Sequence, residues 1–506
     1  MIEKNQKSIS RRDFLKLASL ASAAWLSRPL LKGIDQFSQQ SNTPNILILI
    51  FDAWSADDVS LYGYPRATMP NLEKFSERAI VYHNHYSAGT FTSPGAASIL
   101  TGLYPWSHRA FQLGDLVADA HREHQVYSLL KESFSTTLGY SQNRFANRLL
   151  EQFEADINFR VPLGAYNIYN RLSLDAPIFS NKAVKSIVSA FESDSSLFVG
   201  PLLRVRGLYN EQVITNQYLP DYPKGLPNAI ESLFLLESVV ARTIETLNQL
   251  NNPFLGYMHF FPPHEPYHPK TRFWGKFRDD WLPPNKGIHP LAVEKDDYEK
   301  SIRTRRLYDE FIASWDFELG RLFDFFDESG LRENSYIIIT SDHGEMFERG
   351  ERGHSTPLMY DPLVHVPLIV SRPGQQERED VYVNTSNVDI LSTLAQLTGK
   401  SQPAWAEGQV LPGLGGTEDS SRGVFTLDAK KNSVFTELRK FSIALTKDRY
   451  RLTRYHYPEY REFEFYDLEH DPDELNDLYP SQPKEALLMQ EEMMDKLSDV
   501  NRPYMQ

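Results

Sequence analysis

The run Asn45-Ile46-Leu47-Ile48-Leu49-Ile50-Phe51, which stops at Asp52, decides the fold class. A continuous apolar run of this length is typical of a strand buried on both faces of a parallel sheet. Similar apolar runs follow at 254–260, 336–340 and 366–370. Amphipathic helical patterns are found at 70–79, 230–247 and 308–326. Strands that alternate with helices predict an α/β fold with a mostly parallel central sheet flanked by helices.

The pattern changes along the chain and predicts three parts. Residues 44–416 form the predicted catalytic domain, and the rhythm is broken at 151–222 by an insertion that looks rich in loops. Residues 417–506 alternate as β-hairpins and end in a helical stretch from about Lys484 to Val500, which predicts a smaller C-terminal antiparallel sheet with a helix packed on it. Residues 1–43 are predicted to be a signal and a polar tether.

The amino terminus has the features of an export signal. The pair Arg11-Arg12 precedes a short apolar run from Leu17 to Leu26, which is too short to span a bilayer as a mature helix. This order is typical of a twin-arginine signal, which would make the export machinery a partner and the protein periplasmic or extracellular. A retained membrane anchor, or a chance arginine pair before an amphipathic helix, is the alternative.

Composition excludes several kinds of chemistry. The chain of 506 residues has no cysteine, so disulfides, thiolate metal sites and thiol nucleophiles are ruled out. Its formal net charge is −14, which disfavours binding to nucleic acid. With 41% hydrophobic and 24% charged residues it has the composition of an ordinary folded protein.

Acidic and imidazole side chains follow the predicted strands. Asp52 follows the first, His259 and His264 lie at or beyond the end of the second, and Asp342-His343 follows the third. Ligands bind outside the carboxyl ends of strands in α/β sheets, so these groups should meet at one edge. Each aspartate alone is more typical of a turn or a helix cap. Together they predict a divalent metal site.

The segment 89–102 carries the candidate nucleophile. Ser93 before Pro94 fits an N-cap and the first residue of a helix made of small residues. Hydroxyl groups at a helix start lie where free backbone N–H groups favour an anion. The segment by itself also fits a simple capping motif, but beside the predicted metal ligands Thr92 becomes the candidate nucleophile.

These motifs, taken together, resemble the sulfatase family of the alkaline phosphatase superfamily. The resemblance covers nearly the whole chain after the signal and rests on the motifs at 44–52, 61–72, 92–102, 263–267, 341–345, 360–368 and 465–472. It implies a hydrolase for sulfuric or phosphoric esters, with Asp52, Thr92, Asp342 and His343 as metal ligands. It also implies that His264 is catalytic and touches the substrate.

Departures from the family pattern change the predicted mechanism. Thr92 stands where sulfatases have the cysteine or serine that becomes formylglycine, so no formylglycine is expected. Ala96 replaces the motif arginine, Thr356 replaces a lysine, and Ala53 replaces a second aspartate. No Lys-x-His pair is found near 139–143.

The remaining set resembles superfamily members that use a threonine nucleophile. A metal-activated Thr92 would attack the ester, with a phosphate ester or diester preferred over a sulfate ester. The nitrogen ligand His343 favours zinc or manganese, with calcium and magnesium as alternatives. His264 would protonate the leaving group, and His354 would bind substrate or a second metal ion. His259, inside a strand, is interpreted as a packed histidine.

The sequence is compatible with three hypotheses for the function. The preferred one is an exported metal-dependent hydrolase, or a phosphotransferase, that acts on a small-molecule, glycan or lipid ester. The second is a sulfuric ester hydrolase of the arylsulfatase kind. The third is a catalytically silent relative that binds a partner or glycan. The sequence leaves the physiological substrate and the oligomeric state open.

Overall fold

The computed structural model describes residues 43–170, 199–229 and 232–505. The predicted signal lies outside these residues, apart from Thr43, so the export route and its localisation stay predictions. Among the residues covered, no helix is both long and apolar enough to cross a bilayer.

The main sheet has eight strands. In chain order they are β1 (Asn45–Asp52), β2 (Ile80–Tyr82), β4 (Thr136–Ser141), β5 (Phe159–Arg160), β9 (Phe254–Pro263), β10 (Ser335–Thr340), β11 (Leu368–Ser371) and β12 (Glu379–Val381). Their spatial order is β12-β2-β11-β10-β1-β9-β4-β5. Strands β10, β1, β9 and β4 are parallel neighbours, whereas β11 runs antiparallel to both β10 and β2. The predicted mostly parallel α/β sheet is confirmed.

Helices cover both faces of this sheet. In chain order the helices are α1 (Pro70–Ser76), α2 (Thr92–Thr101), α3 (Pro105–His108), α4 (Val126–Leu130), α5 (Arg144–Gln152), α6 (Val199–Tyr218), α7 (Leu236–Leu247), α8 (Tyr298–Glu328), α9 (Asp361–Val364), α10 (Asp389–Leu397) and α11 (Lys484–Asn501). Alternate residues of β1 point to opposite faces, because side chains in a strand alternate. Ile48 packs in the core that contains α2, α4, α5 and α10, and Leu49 packs in the core that contains α1, α7 and α8.

The C-terminal part is a separate small sheet with one helix. Strands β14 (Gly423–Asp428), β15 (Phe441–Lys447), β16 (Tyr450–His456) and β17 (Arg461–Asp467) pair antiparallel in that order. The remaining strands are short: β3 (His85–Tyr86), β6 (Tyr169–Asn170), β7 (Asn228–Ala229), β8 (Ser232–Leu233) and β13 (Thr385–Ser386). Met489 and Met493 of α11 pack on the small sheet, as the sequence predicts.

The predicted insertion at 151–222 differs from its loop-rich expectation where the structure describes it. Its short strand β5 joins the edge of the main sheet, and α6 is a helix of 20 residues. The sequence of α6 has no clear amphipathic stripe, which is why periodicity alone did not show it. The domain limits predicted at 416 and 417 stay predictions.

A buried histidine at the end of α3 predicts acid sensitivity. The Nδ1 atom of His108 accepts a hydrogen bond from the Ala110 N–H group at 3.1 Å, so its other nitrogen donates to Ser98 Oγ at 3.1 Å. Burial lowers the pKa of His108 to about 3. The unfolded chain binds this proton near pH 6.5, so the stabilisation is complete above about pH 6.5 and declines towards pH 3.

We expect the free energy of unfolding to fall by up to about 1.4 kcal/mol per pH unit from this one group over that window. Urea unfolding of wild type and His108→Gln between pH 7 and pH 4 measures it. The variant should be less stable at pH 7 and show a shallower slope. His470→Gln, which removes an exposed imidazole, is the control. Equal slopes in wild type and His108→Gln would refute the assignment.

Candidate active site

Adjacent parallel strands bring the predicted acids together. Asp52 is the last residue of β1, and Asp342 follows β10, which pairs with β1 through Ile50 and Thr340. On the other side of β1, His259 of β9 lies opposite the same Ile50. Asp52, His259, Asp342 and His343 are completely buried.

Four atoms of these residues face one another without a hydrogen-bond partner: Asp52 Oδ1, His259 Nε2, Asp342 Oδ2 and His343 Nε2. His259 Nε2 lies 3.3 Å from Asp52 Oδ2 and 3.7 Å from Asp342 Oδ2. His343 Nε2 lies 3.5 Å from Asp52 Oδ1 and 3.6 Å from Asp342 Oδ2. Buried polar atoms are normally hydrogen-bonded, so this cluster needs an explanation.

Neighbouring groups fix both imidazole rings. His343 Nδ1 donates to the Gly344 carbonyl at 2.9 Å, and this contact turns Nε2 towards the acids. His259 Nδ1 lies 3.1 Å from the Tyr257 hydroxyl. An oriented ring with its second nitrogen held by a protein oxygen is the usual arrangement of a metal-bound histidine.

The side chain of Ser341 joins the ends of β1 and β10. Ser341 Oγ lies 2.6 Å from the Phe51 carbonyl and accepts from the Trp54 N–H group at 3.0 Å. Ala53 adopts a left-handed conformation with φ of 58°, which is uncommon for a residue with a Cβ. Strain of this kind is concentrated at functional sites.

Electrostatics favour a cation between the two carboxylates. Burial and the charge of Asp52 raise the pKa of Asp342. Burial also acts to raise the pKa of Asp52, but the charge of His264 and the contact with His259 hold that pKa well below its usual range. Burial lowers the pKa of His343 to about 4, so the ring is neutral near pH 7 and its nitrogen can bind a metal.

The cluster fits a divalent metal ion. Asp52, His259 and Asp342 each offer one ligand atom, and these three atoms lie within 4.8 Å of one another. His343 Nε2 lies 3.5 Å from Asp52 Oδ1 and 3.6 Å from Asp342 Oδ2, close to the edge of about 3.4 Å in a tetrahedron with metal–ligand distances near 2.1 Å. A ligand set of two carboxylates and two imidazoles suits zinc or manganese better than calcium.

Thr92 lies beside this cluster through a single asparagine. The amide nitrogen of Asn143 donates to Asp52 Oδ2 at 2.5 Å and to Thr92 Oγ1 at 3.1 Å. The amide oxygen of Asn143 accepts from the Phe145 N–H group at 2.8 Å, because Asn143 is the N-cap of α5. That cap fixes which way the amide faces.

The predicted start of α2 is wrong by two residues. Phe91 is the N-cap, with φ −158° and ψ 172°, and the helix begins at Thr92 rather than at Pro94. The Ser93 hydroxyl accepts a hydrogen bond from the Gly114 N–H group at 2.9 Å, so it does not cap α2.

Gly95 lets helix α2 approach Asp342 closely, because a Cβ at position 95 would lie 2.1 Å from the Asp342 carbonyl oxygen.

A cavity of about 260 Å³ opens above Thr92 and Asn143. Phe261 and His264 line it, and the His264 ring lies 4.4 Å from the Phe261 ring. His264 Nδ1 donates to the Glu265 carbonyl at 2.7 Å, which leaves Nε2 free to face a substrate.

His354, the predicted contact for substrate or a second metal ion, also lines the cavity. Its ring centre is 4.3 Å from the His343 ring and 4.8 Å from the His264 ring. His354 Nδ1 lies 2.9 Å from Glu345 Oε1, and the Tyr267 hydroxyl donates to Glu345 Oε2 at 2.9 Å. Burial lowers the pKa of His354 to about 3 and raises that of Glu345 to about 8.

Comparison with known families agrees with the predicted resemblance. The sequence model of the family described as Sulfatase matches residues 44–400. The chain belongs to the sulfatase family. A second model, described as N-sulphoglucosamine sulphohydrolase, C-terminal, matches residues 350–502. The predicted enzyme class, a sulfatase-family hydrolase, is confirmed.

Relatives agree with this assignment, and solved structures share the fold. An ulvan-active sulfatase of Formosa agariphila is 23% identical over 76% of this chain and 67% of its own. The multifunctional alkaline phosphatase superfamily protein PehA of Trinickia caryophylli is 23% identical over 90% of this chain and 94% of its own. The phosphonate monoester hydrolase of Agrobacterium radiobacter shares the fold with a TM-score of 0.64, at 19% identity over 91% and 96% of the two chains.

Two residues of this sulfatase-family site were not among the predicted ones. His259 was interpreted as a packed histidine, but its unpaired Nε2 faces Asp52 and Asp342. Asn143 has no predicted role. The sequence feature that could have identified His259 as a site residue is its position near the end of an apolar strand parallel to β1. For Asn143, the sequence indicates only the N-cap of a helix.

Proposed function

We propose that this protein is a metal-dependent hydrolase of phosphate or sulfate esters that uses Thr92 as its nucleophile. One observation supports it most: four unpaired buried ligand atoms lie beside a threonine hydroxyl held by Asn143. Asp52, His259, Asp342 and His343 would hold the ion, with zinc or manganese favoured. When bound, the ion would lower the pKa of the attacking hydroxyl and offset charge on the transferred group.

The residues of the chain can supply the other steps. Thr92 Oγ attacks phosphorus and gives its proton to solvent, while the bond from phosphorus to the ester oxygen breaks. His264, protonated at Nε2, gives that oxygen its proton, so the alcohol leaves neutral. Water then attacks the phospho-threonine from the same cavity and passes a proton to His264. Phosphate leaves, and the Thr92 hydroxyl is restored by proton uptake.

The nucleophile favours phosphate over sulfate in this proposal. A sulfo-threonine has no second hydroxyl on its β-carbon, so it lacks the elimination route of a formylglycine hydrate. Phospho-threonine needs only in-line attack of water on phosphorus, and the cavity above Thr92 gives water access. The second candidate is a sulfuric ester hydrolase, which the sulfatase names of the relatives favour.

A substrate panel separates the two candidates. We expect kcat/KM for aryl phosphate or phosphodiester to exceed that for the matching aryl sulfate by at least about tenfold, or about 1.4 kcal/mol. Reactions run in ¹⁸O-water should place the label in the released phosphate, because bond cleavage occurs at phosphorus. A faster sulfate ester would favour the second candidate. No hydrolysis of any ester by metal-loaded protein would refute both.

A further inference from the structure

The proposed reaction places a negatively charged group beside Thr92 and Asn143, and neither of these side chains can offset its charge. The transferred phosphoryl or sulfuryl group has several negatively charged oxygens, and catalysis depends on cationic groups placed around them. Position 356 is threonine and position 96 is alanine, where the resemblance leads one to expect a lysine and an arginine. If the proposed function holds, another cation of the chain takes their place.

The C-terminal sheet contacts the loop that leads to the nucleophile. Strand β14 contacts the loop that leads into α2: the Thr426 hydroxyl donates to the Ser87 carbonyl at 2.5 Å, and the Leu427 N–H group donates to the Ala88 carbonyl at 3.0 Å. Residues that follow β14 are therefore held close to Phe91 and Thr92. The turn is fixed because the Lys430 N–H group donates to Asp428 Oδ1 at 2.9 Å.

Lys430 is the cation that this turn places beside the nucleophile. Its Nζ lies 4.5 Å from the centre of the Phe91 ring, and Phe91 is buried and directly precedes Thr92. Lys430 is half-buried. Its ammonium makes no ion pair with any carboxylate in the part of the chain that the structure describes, whereas Lys286 and Lys447 each have an acidic partner.

The contact between the Lys430 ammonium and the Phe91 ring is a weak interaction. Attraction of an ammonium to a phenyl ring is worth only about 0.5–1 kcal/mol at a partly exposed site. An anion can therefore draw the ammonium away from Phe91.

We propose that Lys430 is an anion-binding residue of the active site, contributed by the C-terminal sheet. Its ammonium contacts the non-reacting oxygens of the phosphoryl or sulfuryl group while Thr92 attacks.

Arg352 is the competing candidate because it lines the cavity. Its guanidinium, however, lies 3.5 Å from Glu294 and 3.4 Å from Asp296, so nearby carboxylates already offset its charge. Lys430 has no such carboxylate partner among the described residues, so it is the better candidate to bind a substrate anion.

Charge-removing variants test this assignment. Lys430→Gln should lower kcat/KM for an anionic ester by roughly 10-fold to 100-fold and raise the inhibition constant of inorganic phosphate similarly. Lys430→Arg should keep most of both. Lys431→Gln is the matched control, since the adjacent lysine lies 5.1 Å from the Tyr457 ring instead. It should stay within about twofold of wild type.

The outcomes separate this proposal from the function it rests on. Unchanged phosphate inhibition and unchanged kcat/KM in Lys430→Gln would overturn the role of Lys430 and leave the hydrolase proposal standing. If wild type hydrolyses no ester, phosphate binding is followed by thermal shift. Loss of that shift in Lys430→Gln would support the anion site and overturn the hydrolase. Wild type that neither hydrolyses esters nor binds phosphate would overturn both.

Discussion

Replacing Thr92 by valine should lower kcat/KM by about 10³-fold or more, because valine keeps the shape of threonine and removes the attacking oxygen. Thr92 is buried, and its hydroxyl accepts a hydrogen bond from Asn143. Bound metal, measured by elemental analysis, should change by less than about twofold, because Asp52 keeps its contact with Asn143. Steady-state kinetics on the best ester of the panel measures the loss.

Two control variants test whether the loss of activity comes from the Thr92 hydroxyl itself. Thr92→Ser retains a hydroxyl and should keep measurable activity. Thr101→Val removes a buried hydroxyl from the other end of the same helix, where it donates to the Ala97 carbonyl. That position is about 13 Å along the helix axis from Thr92, so its activity should match wild type. Thr92→Val that hydrolyses esters as fast as Thr101→Val would eliminate the proposed nucleophile.

Removing the imidazole of His259 should abolish stoichiometric metal binding. In the proposed site His259 Nε2 is a ligand, and its loss leaves two buried carboxylates facing one histidine. We expect His259→Ala to weaken zinc or manganese affinity by at least about 100-fold and to lose activity in parallel. Elemental analysis and titration of chelator-treated protein with each metal give the numbers.

Metal should also stabilise the wild-type fold. An ion at 100 times its dissociation constant adds about 2.7 kcal/mol to the free energy of unfolding when it binds only the folded chain. Chelation should therefore lower the Tm of wild type, and His259→Ala should show no metal-dependent shift. His85→Gln is the control, because it removes another buried imidazole that contacts Thr385 and Asn387 instead. Full metal occupancy in His259→Ala would contradict the ligand assignment.

Sequence patterns predicted the parts of the fold that depend on local hydrophobicity. Strand β1 appeared as a continuous apolar run because both its faces are buried. Asp52 and Asp342 were selected because polar residues at the carboxyl ends of parallel strands meet at one edge. The antiparallel direction of β11 could not be predicted in this way, since a short buried strand has the same composition in either direction.

The missed residues share one physical cause. His259 has the sequence context of a core residue, and only the pairing of β9 with β1 turns its nitrogen towards Asp52. Asn143 is a real helix cap through its amide oxygen. Its amide nitrogen reaches Asp52 and Thr92 only because the end of β4 lies beside them in space.

The sequence by itself determined the α/β architecture, the sulfatase-family resemblance and the candidate residues Asp52, Asp342 and His343, because strand burial and strand-end chemistry are encoded in short segments. The tertiary structure alone decided that His259 Nε2 faces Asp52 and Asp342, that Asn143 contacts Thr92, and that Lys430 comes to lie over Phe91. These contacts join residues far apart in the chain. Their geometry depends on strand register and packing, which no local pattern specifies.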